Sequence, residues 1–456
     1  METNRICIIH PEGNINNNPN LTGIVEILCE NGYEVDIYSL YRPEIVQKNP
    51  CPGANLIIQK NSTARDRINN YEHKLSKNYD MSIGVDEGII EASFISQLAN
   101  IPYGLLSYEI FFYDEISSDN KIPETEAYKI LEIEACKNIS FAIIQDEIRA
   151  GFLSVENKIP NDKFIYIPVS NRRIKKYKKM NFWHKEFGIP LKHSVALYMG
   201  TVDKWAMVEE LLEITPILPK NWHIVIHNRS GFNNIDPKYQ HIFKKSENVH
   251  ISKYSFGTFL EMEEPLFSAD VGLAFYNPIG GPHGGKNIKY IGLSSGKIST
   301  YLQHGLPVIS NIGSPMSDYF ENYNIGIVIK NMEELKMVLS NWDNKKFTQE
   351  NCIFFYKEYL DLDKTIVPLL IKINQLFNNS VVKKKSLMDV RIFINFLNNK
   401  RIELNQKENK LKIKYNQLRY SIVKKIFKLI LILIVFIKKI KTICKLINKR
   451  ILSIKK

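Results

Sequence analysis

The stretch GLSSGKISTYLQHGLPVISNIGSP, residues 292–315, decides how the rest of the chain is read. It predicts a loop, a helix N-terminus, a short helix and then a buried strand. Ser294 and Ser295 offer side-chain oxygens of the kind that cap a helix, and Gly296 lets backbone approach a ligand. Residues 298–303 continue the helix, Gly305 ends it, and Pro307-Val308-Ile309 opens a short apolar strand. A helix start with unsatisfied N–H groups, beside the ammonium of Lys297, suits an anion.

On both sides of this stretch, apolar runs of strand length alternate with amphipathic helical patterns, which predicts parallel α/β sheets. In the first half, runs at 5–9, 34–39, 55–59, 80–85, 103–107, 141–145 and 164–167 read as strands. They compose a first Rossmann-like domain over residues 1–175. The basic segment 172–179 reads as a solvated linker. A second such domain over 180–345 takes strands at 194–199, 223–227, 249–252, 271–275, 307–310 and 326–329. Residues 350–378 are expected as helices that return to the first domain, and 380–456 as a helical basic tail.

Composition narrows the classes of function. Of 456 residues, 44% are hydrophobic and 24% charged, ordinary values for a folded chain. The net charge of +13 is unevenly spread, because fifteen Lys or Arg and no Asp or Glu fall between Asn409 and Lys456. The rest of the chain is close to neutral, which argues against a nucleic-acid-binding fold. Six cysteines without a CxxC pair read as reduced thiols of a cytoplasmic protein. The N-terminus shows no signal-peptide pattern. The longest uncharged apolar run, Leu429 to Ile437, is nine residues, against the roughly 20 of a spanning helix.

The tail carries two patterns of its own. Val390, Leu397, Leu404, Leu411 and Leu418 recur every seven residues, a heptad stripe that makes a homodimer through 387–420 one expectation. Over 421–456, Lys424, Lys428, Lys438, Lys441, Lys445 and Lys449 share a broad arc opposite isoleucines and leucines. That is the pattern of a helix lying in an anionic membrane surface, and it predicts a peripheral protein at the inner face of the cell membrane.

The residue order in 292–315 resembles the donor-sugar motif of glycosyltransferases with the two-domain GT-B fold, the retaining group 1 or family 4-like enzymes. There the pattern is roughly S-x-K-x-x-E-Y-x-x-x-G-x-P-V-I. Ser295, Lys297, Tyr301, Gly305, Pro307, Val308 and Ile309 fall on matching positions, and Thr300 stands where the family has a glutamate. The resemblance implies an α/β fold of two Rossmann-like domains facing across a cleft, extended here by C-terminal helices. It also implies a metal-independent, hexosyltransferase-like enzyme with no cofactor, its substrate a UDP- or GDP-sugar. The acceptor would be a hydroxyl of a glycan or lipid-linked oligosaccharide, as in surface-polysaccharide assembly.

Carried onto this chain, the donor's diphosphate belongs near Ser295, Gly296 and Lys297 and near Gly200, Thr201 and Lys204 after the first strand of the second domain. Arg229 would contribute from the next strand end, and Thr300 and His283 would lie near the sugar. Cations there help the leaving group depart, because negative charge grows on the diphosphate. Residues 280–286 also satisfy G-x-x-x-x-G-K, but Asn287 replaces the Ser or Thr that would hold magnesium, and no suitable helix is expected after it. On the acceptor side, His10 and Glu12 follow the first strand, while Asp86 and Glu87 follow the fourth. Glu109, in LLSYEIFF, is the candidate for orienting or deprotonating the acceptor hydroxyl. Asp361 and Asp363 formally match D-x-D but fall in a helical segment, so no metal site is expected.

Thr201 and Thr300, at positions usually charged in the family, motivate one alternative: an inactive sugar- or nucleotide-binding subunit of a glycosylation complex. A Rossmann-type epimerase or dehydrogenase ranks last, since no G-x-G-x-x-G follows the first strand.

Overall fold

The computed structural model describes residues 4–379 except 14, 43–46, 61–78, 119–122, 173–177, 229–230, 232–234, 236–238, 240–246, 255–261 and 280–283. The tail from 380, with its expected coiled coil and membrane face, lies outside the described residues, as do Arg229 and His283.

Seven strands among the described residues form the first sheet: β1 (Arg5–His10), β2 (Glu34–Leu40), β3 (Ala54–Gln59), β4 (Met81–Val85), β5 (Tyr103–Leu106), β6 (Phe141–Ile144) and β7 (Phe164–Tyr166). Their order is β3-β2-β1-β4-β5-β6-β7, and every pairing is parallel. Six more form the second sheet: β8 (Ser194–Gly200), β9 (Trp222–Asn228), β10 (Val249–Ile251), β11 (Val271–Ala274), β12 (Val308–Ser310) and β13 (Gly326–Val328). That order is β10-β9-β8-β11-β12-β13, again all parallel. Strands β4, β5, β6, β9, β11 and β12 are buried along their whole length. Helices cover both faces of such a sheet, so its sequence is apolar throughout rather than alternating.

In each sheet the order of strands reverses once, between β1 and β4 and again between β8 and β11. Open α/β sheets bind ligands at the carboxyl ends of the strands beside such a reversal. The topology alone therefore points to the loops after His10, Val85, Gly200 and Ala274.

Local sequence explains how the helices flanking these loops begin. Helix α1 (Pro19–Glu30) starts on Asn18, whose side chain accepts the N–H of Leu21 at 3.0 Å, with proline at the first position. Helix α2 (Ile89–Ala99) follows β4, and α3 (Tyr113–Ser118) and α4 (Pro123–Cys136) lie between β5 and β6. Helix α5 (Glu147–Asn157) is capped by Asp146, which accepts the N–H of Arg149 at 2.9 Å. In the second half, α6 (Val208–Ile214) follows the β8 loop, and α7 (Gly285–Lys289) precedes α8 (Gly296–Gln303). Of the two serines expected to cap α8, only Ser295 does so, accepting the N–H of Ile298 at 3.1 Å; Ser294 sits in a preceding 3-10 turn. The helix starts at Gly296 and ends at Gln303. Helix α7 begins inside the glycine-rich stretch, at Gly285, and is five residues long.

The chain crosses back to the first half over a few residues. Helix α9 (Gln349–Phe355) and the turn after it place Cys352, Phe355, Tyr356 and Leu360 in the core of the second sheet. Leu362 and Ile366 of α10 (Leu362–Thr365) and its C-cap, with Leu369 and Ile373 of α11 (Val367–Asn379), belong to the core of the first. The segment read as a solvated linker is anchored at both described ends. Arg172 pairs with Glu26 and Glu30 of α1 and with Asp363 of α10 at 2.7–3.2 Å, and Lys179 pairs with Asp270 at 2.7 Å. Asp361 caps α10, so the D-x-D pair is used structurally. Among the described residues, no helix is long and apolar enough to cross a membrane.

Candidate functional site

At the edge of the second sheet, α8 aims Lys297 toward the end of β8. The ammonium lies 4.2 Å from the ring centre of Tyr198, 5.6 Å from Tyr276 and 6.0 Å from Trp205. Its nitrogen is buried and has no hydrogen-bond partner among the described residues. An ammonium held out of water without a counter-ion is costly, and burial accordingly pulls its pKa down from the usual lysine range to about 7. Gly200 makes room for it. There φ is +142°, and a Cβ would come within 3.1 Å of Lys297 Cε and 3.4 Å of Nζ. Any other residue would be strained and would crowd the ammonium. Ser295 is buried, and its hydroxyl bonds that of Tyr276. Asn277 N–H donates to the carbonyl of Trp205 at 2.7 Å, which ties the loops after β8 and β11 together.

The other donor-side residues are less alike than expected. Thr201 is exposed, and its carbonyl accepts the Tyr198 hydroxyl at 2.7 Å. Lys204 is exposed in a 3-10 turn capped by Asp203. Gly296 packs beside Val169 of the first half, where a Cβ would meet Val169 Cγ1 at 3.2 Å. Thr300 is buried and receives the side-chain amide of Asn171 at 3.3 Å, an amide that also bonds Gln303 at 3.0 Å. Thr300 therefore holds the chain between the halves.

At the edge of the first sheet the chemistry is reversed. The charge of Glu12 raises the pKa values of Asp86 and Glu109, and the guanidinium of Arg149 opposes the rise at Glu109. Asp86 adopts a left-handed backbone, φ +47°, a conformation that costs a non-glycine residue energy and concentrates at functional sites. There its Oδ1 accepts the N–H of Tyr108 at 2.7 Å and of Glu109 at 3.0 Å. Burial, then the nearby Glu12, pushes the Asp86 carboxyl well above its usual range. These two bonds make Asp86 a support of the backbone that carries Glu109. Glu109 is pushed up to about 7, by burial first, against the opposing charge of Arg149. Its side chain makes no hydrogen bond among the described residues. A carboxyl titrating near neutrality and open to a ligand is suited to general base work.

His10 is buried at the end of β1, while Glu12 and Glu87 are exposed at the same edge. Tyr108 reaches the start of α1, its hydroxyl donating to Asn20 Oδ1 at 2.8 Å. Arg149, absent from the sequence expectations, is fully buried and donates to the Tyr108 carbonyl at 2.6 Å and to Gln145 Oε1 at 2.8 Å. Its sequence signal is faint, a lone arginine in the first turn of an ordinary helix. The aromatic wall around Lys297 was legible in principle, since Tyr198 and Tyr276 lie at or next to the ends of central strands. Among the described residues, no group of three or more His, Cys, Asp or Glu side chains is placed to hold a metal ion.

Residues 240–351 match the family model of the glucosyltransferase 3-like C-terminal domain. Comparison with curated protein sequences returns no match. Among solved structures, the chain is similar to WaaG, a glycosyltransferase involved in lipopolysaccharide biosynthesis, at 15% identity and a TM-score of 0.57, over 81% of this chain and 98% of that one. It is similar to Anabaena HepE in complex with UDP and glucose at 10% identity and 0.60, over 82% and 100%. It is also similar to sucrose-phosphate synthase from Thermosynechococcus elongatus at 13% identity and 0.61, over 83% and 100%. The chain has the GT-B glycosyltransferase fold, two parallel α/β sheets with returning C-terminal helices, as the residue order in 292–315 implied.

Proposed function

We propose that this protein is a glycosyltransferase that moves a sugar from a nucleotide diphosphate donor to an acceptor hydroxyl. One observation carries the reading: the Lys297 nitrogen is buried, faces a glycine that clears space for it, and lacks a hydrogen-bond partner among the described residues. A diphosphate supplies the missing counter-charge. Ser295, Gly296 and Gly200 border that position, and the N-terminal end of α8 adds its partial positive charge. As the glycosidic bond breaks, negative charge accumulates on the departing diphosphate, and an ammonium already stripped of water stabilises it strongly.

On the opposite edge, Glu109 takes the role of orienting the acceptor hydroxyl and accepting its proton, with Asp86 fixing its backbone and Arg149 stabilising its charged form. His10, Glu12 and Glu87 border the acceptor's approach. Lys204, with Arg229, Thr300 and His283, remains a donor-side assignment that rests on the family pattern. UDP is the favoured donor nucleotide, on the likeness to HepE, whose solved complexes contain UDP and UDP-glucose. The reaction needs no metal in this reading, because the chain's own cation neutralises the diphosphate. The basic tail at 421–456 would hold the enzyme on an anionic cytoplasmic membrane face, where a lipid-linked or polysaccharide acceptor is confined. A second reading, an inactive subunit, is favoured by Thr300 and Thr201, uncharged residues at positions usually charged in the family.

The two readings separate in one assay. Purified protein with UDP-glucose, UDP-galactose or GDP-mannose and a membrane extract is expected to release nucleotide and transfer label to lipid. Binding without turnover for every donor would favour the inactive subunit.

A further inference from the structure

Asn287, the residue that spoils the phosphate-loop pattern, joins the two halves of the fold. It lies in α7 and is 2% exposed. Its carboxamide pairs reciprocally with the backbone of Ile110: the Ile110 N–H donates to Oδ1 at 2.9 Å, and Nδ2 donates to the Ile110 carbonyl at 2.6 Å. The guanidinium of Arg149 donates to the same Oδ1 at 3.3 Å.

These bonds complete an accounting of the loop that carries Glu109. Ser107 N–H donates to the Ile143 carbonyl at 3.0 Å, and the Ser107 carbonyl accepts from Gln145 Nε2 at 2.6 Å. The Tyr108 and Glu109 N–H groups go to Asp86, and the Tyr108 carbonyl to Arg149. The Glu109 carbonyl accepts the Ser107 hydroxyl at 3.1 Å. Every backbone polar group from Ser107 to Ile110 is thus satisfied, mostly by side chains, and the two at Ile110 depend on a residue of the donor half. The loop immobilises the backbone of one carboxylate and leaves the carboxylate itself open.

We propose that Asn287 is a positioning residue: reaching across from the donor half, it completes the Glu109 loop, so that Glu109 holds its working geometry only while the halves are engaged. This rests on the transferase reading of the site. Without the carboxamide, the Ile110 N–H and carbonyl are left buried and unpaired, and a loop in that state relaxes. The neighbouring contacts of α7 are weaker supports. Lys286 N–H donates to Glu115 at 2.7 Å and its ammonium pairs with Asp114 at 2.6 Å, at a more exposed position where ion pairs count for little.

The test uses the full chain, with UDP and UDP-glucose as probes, in the wild type, Asn287→Ala and Asn287→Asp. Amide exchange over 105–112, kcat and KM for UDP-glucose, and the melting shift with UDP are measured together. In Asn287→Ala, exchange at Ile110 should quicken at least tenfold and kcat should fall about 30-fold, the scale of a small misplacement of a reacting group. The KM and the UDP shift should stay within about twofold. Asn287→Asp keeps the acceptor for the Ile110 N–H and should fall between. Unchanged exchange at Ile110, or faster exchange with unchanged kcat, overturns the proposal. So does loss of kcat and of the UDP shift together in both variants, which marks a merely structural role. A wild type that neither binds UDP nor consumes UDP-glucose strikes the transferase reading instead, and exchange at Ile110 then decides the proposal by itself.

Discussion

The carboxyl edges of the two sheets share one topology and carry opposite chemistry. The first gathers Glu12, Asp86 and Glu109 around a single arginine; the second holds one ammonium inside three aromatic rings. Burial drives both toward neutrality, raising Glu109 and lowering Lys297 to about the same value, near 7. One topology used twice thus carries opposite local chemistry through a handful of side chains. In the proposed reading, the edge with the buried ammonium seats an anionic donor, and the edge with Glu109 takes the proton.

Mutating each edge in turn is the sharpest way to break this contrast. Lys297→Ala should cost about 10³ in turnover of the donor, the upper range for removing one charge-stabilising donor from an active site. Steady-state assays with UDP-glucose check it, and a loss under tenfold would move the diphosphate elsewhere. Glu109→Gln should lower kcat about 10²-fold, as for loss of a general base, while leaving UDP binding intact. Equal loss of binding would place Glu109 on the donor instead. Asp86→Ala should cost about 2 kcal/mol of stability by stranding two buried N–H groups, read as a shift in the urea midpoint. It should also lower kcat, by less than Glu109→Gln does.

The pH dependence separates the edges without mutation. In the free protein the Lys297 ammonium loses its proton near pH 7, and a bound diphosphate favours the charged form. UDP affinity is therefore greatest below pH 7 and declines as pH rises through that value, by at most about tenfold per unit. Calorimetry between pH 6 and 9 follows it, and Lys297→Met should flatten the profile. Glu109 works in the opposite sense, since the base must be ionised: kcat/KM should fall on the acid side of about pH 7. The smallest effect belongs to the anchored linker end at Arg172. Arg172→Ala, which removes pairs to three carboxylates at a site only 11% exposed, should cost about 1 kcal/mol, visible in thermal melting with donor affinity unchanged.

Much of the fold was legible because parallel strands buried on both faces spell continuous apolar runs. All thirteen expected strands appear within one residue at each end. The site was legible where chemistry is local, as in Ser295-Gly296-Lys297. It was opaque where distant residues meet. Asn287 looked like a failed magnesium ligand because its partner, Ile110, lies 177 positions away. Asp86 and Met207 adopt left-handed backbone with no glycine to announce it. Thr300 stands in the expected place, but Asn171, from the chain between the sheets, takes the hydroxyl.

The central claim, that the unpaired ammonium of the second edge receives the donor's diphosphate, is tested most directly by calorimetric titration of UDP at pH 6.5. Wild type and Glu109→Gln should bind alike, and Lys297→Ala should bind at least about 100-fold more weakly, the loss of a charge-assisted contact in a dry site. Undiminished binding by Lys297→Ala, or binding lost in Glu109→Gln alone, would contradict it.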